Sequence, residues 1–348
     1  MDSNARSQVM RYSCVVTDLR PELPTELRAD WRQLIESTVG SAITRTELIQ
    51  SVWSGYGQLL RVLFADEGKP SLVVKAVVPP DEQLHPRGWQ LDIAHQRKLK
   101  SYRVEACWYE RYSSATRESV AMPVATLVHQ ASNGLLLVLE DLDKQYPRRL
   151  TNVNAQSCRA GLEWLARFHA MKLDTSGDGL WEIGCYWHLQ TRPDEWAAMP
   201  DGPLKTHAHA IDAALLDCEV TTLVHGDAKA ANFCLSVDKC SVAAVDFQYI
   251  GRGCGMRDLV YYLGSCLSDQ MLYKDADSLL DHYFKIFSTE LQPSYERQRI
   301  RQIEQRWREL YAFAWADFQR FLLGWAPDHA KLNDYSAEQT LCALDRLS

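Results

Sequence analysis

Leu223-Val224-His225-Gly226-Asp227-Ala228-Lys229-Ala230-Ala231-Asn232-Phe233, followed by Val242-Ala243-Ala244-Val245-Asp246-Phe247-Gln248, is the stretch on which the reading of this chain turns. Phe233 to Val237 and Ser241 to Val245 are two apolar runs, and Asp238, Lys239 and Cys240 supply a turn between them. Folding this hairpin about Lys239 sets Asn232 opposite Asp246, and residues paired across a ladder stand about 5 Å apart. An amide oxygen and a carboxylate at the two ends of a hairpin can hold one hard cation. Mg²⁺ suits such a pair, because it takes few protein oxygens and completes its shell with phosphate oxygens and water. Asp227, in the loop entering the hairpin, is set to meet a substrate hydroxyl near that cation. Lys229 brings positive charge to where negative charge gathers on a phosphoryl group in transit. A metal clamp, a carboxylate facing the acceptor and a cation are the parts that phosphoryl transfer needs. Taken singly, an Asp or Asn before a strand is a turn or cap residue. The joint spacing of H-G-D, four residues, N, a hairpin and V-D-F is what carries the chemistry.

Upstream of this stretch the chain is strand-rich. Gln58 to Phe64 and Ser71 to Val78 flank the turn Asp66-Glu67-Gly68-Lys69-Pro70 and predict a hairpin. A polar, proline-containing insert is expected over about 79–98, followed by a helical segment from Tyr102 to Tyr112. ATLVHQ and LLLVLE about Ala131-Ser132-Asn133-Gly134 predict a second hairpin. A helix is expected over Asn152 to Lys172, where Leu162, Leu165, Ala166 and His169 recur at helical steps. Helices then predominate, and Arg297 to Trp325 is a long amphipathic pattern. Strands first and helices later predict an α+β chain of two lobes: a nucleotide-binding lobe over 1–139, a joint at 140–143, and a helical lobe with the catalytic loop and acceptor pocket over 144–348.

The pattern resembles the aminoglycoside phosphotransferase and choline kinase group of the protein-kinase-like superfamily, and within it most the ecdysteroid kinase-like (CHK kinase-like) proteins. H-R-D-x-x-x-x-N is matched by His225-Gly226-Asp227 and Asn232, and D-F-G by Asp246-Phe247-Gln248. The resemblance implies a bilobal fold, with an antiparallel-sheet lobe carrying one main helix and a mostly helical second lobe. It implies transfer of the γ-phosphoryl group of ATP, with Mg²⁺, to a hydroxyl of a small molecule: an amino alcohol, sugar, aminoglycoside or sterol-like alcohol. Asp227 would be the base, Asn232 and Asp246 the metal ligands, and His225 an organiser of the loop. Lys75, a charge inside the apolar run Leu72 to Val78, needs a partner or water. By the resemblance it contacts the α- and β-phosphates and pairs with a helix glutamate, Glu105 or, failing that, Glu110. Ser54-Gly55-Tyr56-Gly57-Gln58 would cover the phosphates, and Glu140, Asp141 and Leu142 would form the adenine-binding hinge. Asp258 is either the cap of the helix it opens or a support for the catalytic loop.

Gly226 departs from the Arg that pairs with a phosphorylated activation loop, and no A-P-E segment follows Asp246; both count against a protein kinase. Gln248 departs from the Gly of D-F-G. A nucleotide-binding pseudokinase scaffold is the alternative reading. The segment Gly251-Arg252-Gly253-Cys254-Gly255 is expected to be a mobile loop shaping the acceptor site. Tyr311, Phe313, Trp315, Asp317, Phe318, Phe321 and Trp325, and likewise Trp181, Tyr186, Trp187 and His188, either line that site or fill a helical core. His207 and His209 lack further ligands and read as a solvated pair.

With 348 residues, 46% apolar and 24% charged, the chain can bury a core unaided. Its net charge of −7 argues against nucleic acid as a partner. The ten cysteines form no C-x-x-C pair, which argues against a structural zinc site and for a reducing compartment. The polar start and the shortness of the apolar run Leu135 to Leu139 lead to the expectation of a cytoplasmic protein without a membrane span.

Overall fold

A computed structural model describes residues 27–52, 56–79, 91–131, 134–150 and 153–347. Helix α1 (Ala29–Val39) precedes a sheet of β1 (Ile43–Val52), β2 (Gly57–Phe64), β3 (Leu72–Val77), β4 (Ala125–Ala131) and β5 (Gly134–Glu140), antiparallel throughout and ordered β1-β2-β3-β5-β4. Leu136 and Val138 of β5 pack with Trp31 and Ile35 of α1, while Leu135, Leu137 and Leu139 pack on the other face with Val104 and Trp108. Cover on both faces is why this strand reads as a continuous apolar run rather than an alternation. β1 is an edge strand that buries only its end residues Ile43 and Val52, so it carries no apolar period.

Helix α2 spans Leu91–Arg111, so the expected insert over 79–98 overlaps it and the expected start at Tyr102 falls a full helical segment late. Residues 80–90 lie outside the described part. The helix was hidden because its first turns are polar, and those polar groups face the other lobe rather than water. Arg97 donates to the Thr191 carbonyl at 2.5 Å and Lys98 to Gln248 at 2.7 Å. A short α3 (Ser113–Arg117) follows.

Beyond Glu140 the chain turns helical: α4 (Ala155–Met171), α5 (Pro193–Ala198), α6 (Pro203–Thr206), α7 (Ala208–Leu216), α8 (Met256–Cys266), α9 (Asp269–Leu291), α10 (Arg297–Trp325) and α11 (Asp334–Asp345). Small strands are set among them: β6 (Arg148–Arg149), β7 (Thr222–Val224), β8 (Phe233–Leu235), β9 (Val242–Ala244) and β10 (Gly251–Gly253). The architecture is a bilobal α+β fold, a sheet lobe with one main helix and a helical lobe. No helix among the described residues is long and apolar enough to cross a membrane.

Three expectations are corrected here. The hairpin of β8 and β9 pairs Phe233 with Ala244 and Leu235 with Val242, so Asn232 stands opposite Val245, whose N–H donates to its carbonyl at 2.9 Å. The turn is centred between Asp238 and Lys239 rather than on Lys239: the Asp238 carboxylate accepts from Ser236 Oγ at 2.6 Å and from the Cys240 N–H at 3.0 Å, and Lys239 takes a φ of 61°. The expected mobile loop at 251–255 is instead strand β10, laddered to β7 from Gly251↔Val224 to Gly253↔Thr222. The chain can run there because Gly251 lies so near Trp181 that a Cβ would meet its carbonyl at 2.1 Å. Of the two readings of the α10 stripe, the core reading holds: α10 buries Tyr311, Phe313, Trp315, Phe318 and Phe321, and Asp317 is paired with Arg320 at 2.8 Å. The stripe is core, and its carboxylate is already used.

Candidate active site

The loop between β7 and β8 is shaped from below. Asp258, inside the first turn of α8, accepts from the backbone N–H of His225 at 2.6 Å, from that of Gly226 at 2.9 Å, and from His169 Nε2 at 3.1 Å. It supports the catalytic loop and does not cap its helix, whose preceding residue is Gly255. Gly226 has a φ of 77°, and a Cβ on it would meet the Tyr249 carbonyl at 2.0 Å. Both the left-handed backbone and the close approach demand glycine. The side chain that protein kinases carry here has no room.

His225 is fully buried, with Nε2 3.1 Å from the Val245 carbonyl and its Nδ1 accepting from the Asp227 N–H at 3.3 Å. It belongs to an aromatic column between the lobes, 4.8 Å from Phe247, which stacks on Trp108 at 5.0 Å. Its contacts are those of a loop organiser rather than a group facing substrate.

Asp227 Oδ2 accepts from Lys229 Nζ at 2.9 Å and from Asn232 Nδ2 at 3.0 Å; the same amide nitrogen reaches the Asp227 carbonyl at 2.8 Å. Two acceptors on one side fix which end of the Asn232 amide is nitrogen, and so turn its oxygen the other way. Burial works against the Lys229 charge, but the Asp227 and Asp246 carboxylates outweigh it and hold the ammonium above the usual lysine range. Asp246 sits one residue past the ladder with a φ of 69°. That left-handed turn frees its side chain from the strand's alternation. Its Oδ1 accepts from Lys75 Nζ at 3.2 Å and from Gln248 Nε2 at 2.7 Å. Burial would raise the Asp246 pKa, yet Lys75, Lys229 and Lys98 together hold it well below the ordinary carboxylate range.

Lys75, on β3, pairs with Glu105 Oε2 at 2.7 Å. Glu110 is bonded instead to Gln130 on β4, so the register of α2 selects Glu105. Burial opposes the Lys75 charge, but Asp246 and Glu105 keep it above its usual range. Gly57 opens β2 so close to β3 that a Cβ would meet the Ala76 carbonyl at 2.0 Å; Gly55 lies outside the described residues. Around the joint, Glu140 accepts from Arg117 at 2.9 Å and Asp141 from Arg61 at 2.6 Å and Ser71 at 2.7 Å. The Glu140 N–H and the Leu142 carbonyl are used internally, by Val124 and by the following turn.

Two oxygens remain. Asn232 Oδ1 and Asp246 Oδ2 make no hydrogen bond among the described residues, while the opposite atom of each group is bonded. One amide and one carboxylate oxygen are hard donors of the kind Mg²⁺ takes beside phosphate and water, so the residues fit that ion.

The ecdysteroid kinase-like family model matches residues 207–294, the segment holding the catalytic loop, Asn232, Asp246 and Asp258. Over that segment the chain is similar to the ecdysteroid kinase-like family. The comparison with curated proteins finds no match. Among solved structures, a spectinomycin phosphotransferase in complex with ADP and spectinomycin is 11% identical, with 92% of this chain and 94% of that one covered at a TM-score of 0.47. A type I macrolide 2′-phosphotransferase is 14% identical, covering 94% and 99% at 0.47. An aminoglycoside phosphotransferase from Streptomyces rimosus is 16% identical, covering 81% and 97% at 0.44.

Several neighbours of this site went unread in the sequence. Gln248 Oε1 accepts from Lys98 at 2.7 Å and from Ser101 Oγ at 3.1 Å, so the residue replacing the D-F-G glycine ties α2 to Asp246. Lys98, Ser101 and Glu105 lie on one face of α2 at i, i+3 and i+7, a pattern visible once the helix is begun at Leu91. His95 Nδ1 lies 2.8 Å from Tyr56 OH, joining the same turns to the start of β2. Tyr261 and Lys331 gave no local signal. His207 and His209 are not a pair: His207 Nδ1 lies 2.8 Å from the Pro203 carbonyl, and His209 packs edge-on against Trp196.

Proposed function

We propose that this protein is an ATP-dependent small-molecule kinase that moves the γ-phosphoryl group to an alcohol. The observation that carries the reading is two short chains of contacts, Glu105–Lys75–Asp246 and Lys229–Asp227–Asn232, close enough that the Lys229 charge acts on Asp246. Lys75, fixed by Glu105, reaches for the nucleotide phosphates. Asn232 and Asp246 hold the metal through their unengaged oxygens. Bound Mg²⁺ would neutralise charge building on the phosphates. Asp227 keeps one oxygen committed to Lys229 and Asn232, which aims the other at the acceptor hydroxyl to take its proton as the new O–P bond forms and the bond from the γ-phosphorus to the bridging oxygen breaks, releasing ADP. Lys229 then faces the growing phosphoryl charge. Fixing both reactants this way can contribute about 7–11 kcal/mol, against about 10²–10⁴-fold for the base itself.

Amino alcohols, sugars, aminoglycosides and sterol-like alcohols are the acceptor classes to try. The test is ATP consumption across such a panel with Mg²⁺, with Asp227→Asn alongside. Turnover that Asp227→Asn abolishes supports the reading. A Mg²⁺-dependent thermal shift with ATP but no turnover on any alcohol would favour the scaffold instead.

A further inference from the structure

We propose that the acceptor carries an anionic group beside its hydroxyl, and that Lys331 receives it. This rests on the phosphotransferase reading and refines it to a substrate class. Lys331 stands in the connection between α10 and α11, with Nζ 4.4 Å from the ring centroid of Tyr261 and 5.7 Å from that of Phe318. Tyr261 borders the catalytic loop. It packs 5.8 Å from Tyr186, whose N–H donates to the Gly226 carbonyl at 3.0 Å. One turn further along α8, Ser265 Oγ accepts from the Ala230 N–H at 2.8 Å. Asp227 and Lys229 are accordingly among the charges that act on Lys331.

The other lysines of the cleft have polar partners. Lys75 has two carboxylates, Lys229 has Asp227, and Lys98 has the Gln248 amide oxygen. The Lys331 ammonium has neither an ion pair nor a hydrogen bond among the described residues, although it is partly buried. Burial, then the like charge of Lys229, hold it down to about 8. Removing an ammonium from water is costly without a counter-charge, and stacking on aromatic rings returns only part of that cost. An anion on the acceptor supplies the missing partner. The nucleotide is served from the other side, by Lys75 on the sheet lobe. Lys331 comes from the helical lobe, against the Tyr186–Tyr261 wall.

Matched pairs decide it: pantothenate against panthenol, glycerate against glycerol, and cholate against its 24-alcohol. Binding of each is measured calorimetrically to the full chain with Mg²⁺ and a non-hydrolysable ATP analogue. At least one acid is expected to bind about tenfold more tightly than its alcohol, the scale of one hydrogen bond to a charged group. Lys331→Met, which keeps the apolar stem, is expected to erase that preference, and Lys331→Arg to keep it, both with unchanged affinity for the ATP analogue. The inference is overturned if no acid is preferred in any pair, or if the preference survives in Lys331→Met. Should Lys331→Met not fold, loss of the preference in Lys331→Arg overturns it equally. Failure of the wild type to bind the ATP analogue with Mg²⁺ would instead remove the kinase reading, a separate measurement.

Discussion

The two walls of the cleft are built from different materials. The wall formed by β3, α2 and the β9 end is a relay of charges and amides: Glu105, Lys75, Asp246, Gln248 and Lys98, each bonded to the next. The wall formed by α8 and the segments around it is aromatic, with Tyr186, Tyr249 and Tyr261 in contact and two cations set upon it: Arg192, itself paired with Glu195, over Tyr186, and Lys331 over Tyr261. A relay of point charges suits triphosphate and metal, whose geometry is the same for every acceptor. An aromatic wall selects by shape and by the few polar groups placed on it. In the proposed reading, the first wall serves the reaction and the second the substrate.

The sharpest way to break that division is to remove the carboxylates at its junction. Asp246→Ala is expected to lower turnover at least as much as Asp227→Asn, itself about 10²–10⁴-fold, because losing the metal ligand misplaces ATP as well. Steady-state ATP consumption measures both, and wild-type-like rates for Asp246→Ala would remove its metal role. Lys75→Ala leaves Glu105 buried without its partner, with side-chain exposures of 9% and 2% in the native pair. A loss of stability of about 3–5 kcal/mol is expected from denaturant unfolding, with no comparable loss for Lys331→Met on the aromatic wall.

Gln248→Gly restores the familiar D-F-G and cuts the link from α2 to Asp246. Its expected effect is about tenfold on the Mg²⁺ dependence of turnover, with acceptor KM unchanged. A shift in acceptor KM alone would show that the two walls are not separable at this residue. The smallest effect concerns pH. Lys331 faces Lys229, Asp227, Cys266 and the Tyr261 ring, and burial lowers its pKa to about 8. Its charge is present below that value and lost as pH rises through it. The preference for an acid over its neutral alcohol should therefore fall about fivefold from pH 7 to pH 9, one pH unit above the transition, measured as the ratio of their affinities.

Legibility in the sequence followed the range of the interactions. His225, Asp227, Asn232 and Asp246 could be read because a loop and one short hairpin bring them together, and Lys75 because a charge in an apolar strand is conspicuous. The register of that hairpin was misread by one residue, since the side chains of Ser236 and Asp238 settle the turn rather than the apolar runs. Helix α2 was begun too late because its polar face is spent on the opposite lobe, and a sequence cannot tell polar groups facing protein from those facing water. Gly251 to Gly253 looked like a loop, yet the close approach of Trp181 makes glycine the residue the strand needs at its buried position 251.

By itself, then, the sequence determined the order of strands and helices and the short-range catalytic constellation, because hydrophobic period and residue spacing act within a few turns of chain. Tertiary structure alone decided that Glu105 rather than Glu110 meets Lys75, that Asp258 holds the catalytic loop, that Gln248 joins α2 to Asp246, and that Lys331 comes to stand on Tyr261. Each of those contacts joins residues about 30 or more positions apart, and only the packing of whole elements fixes which side chains face one another.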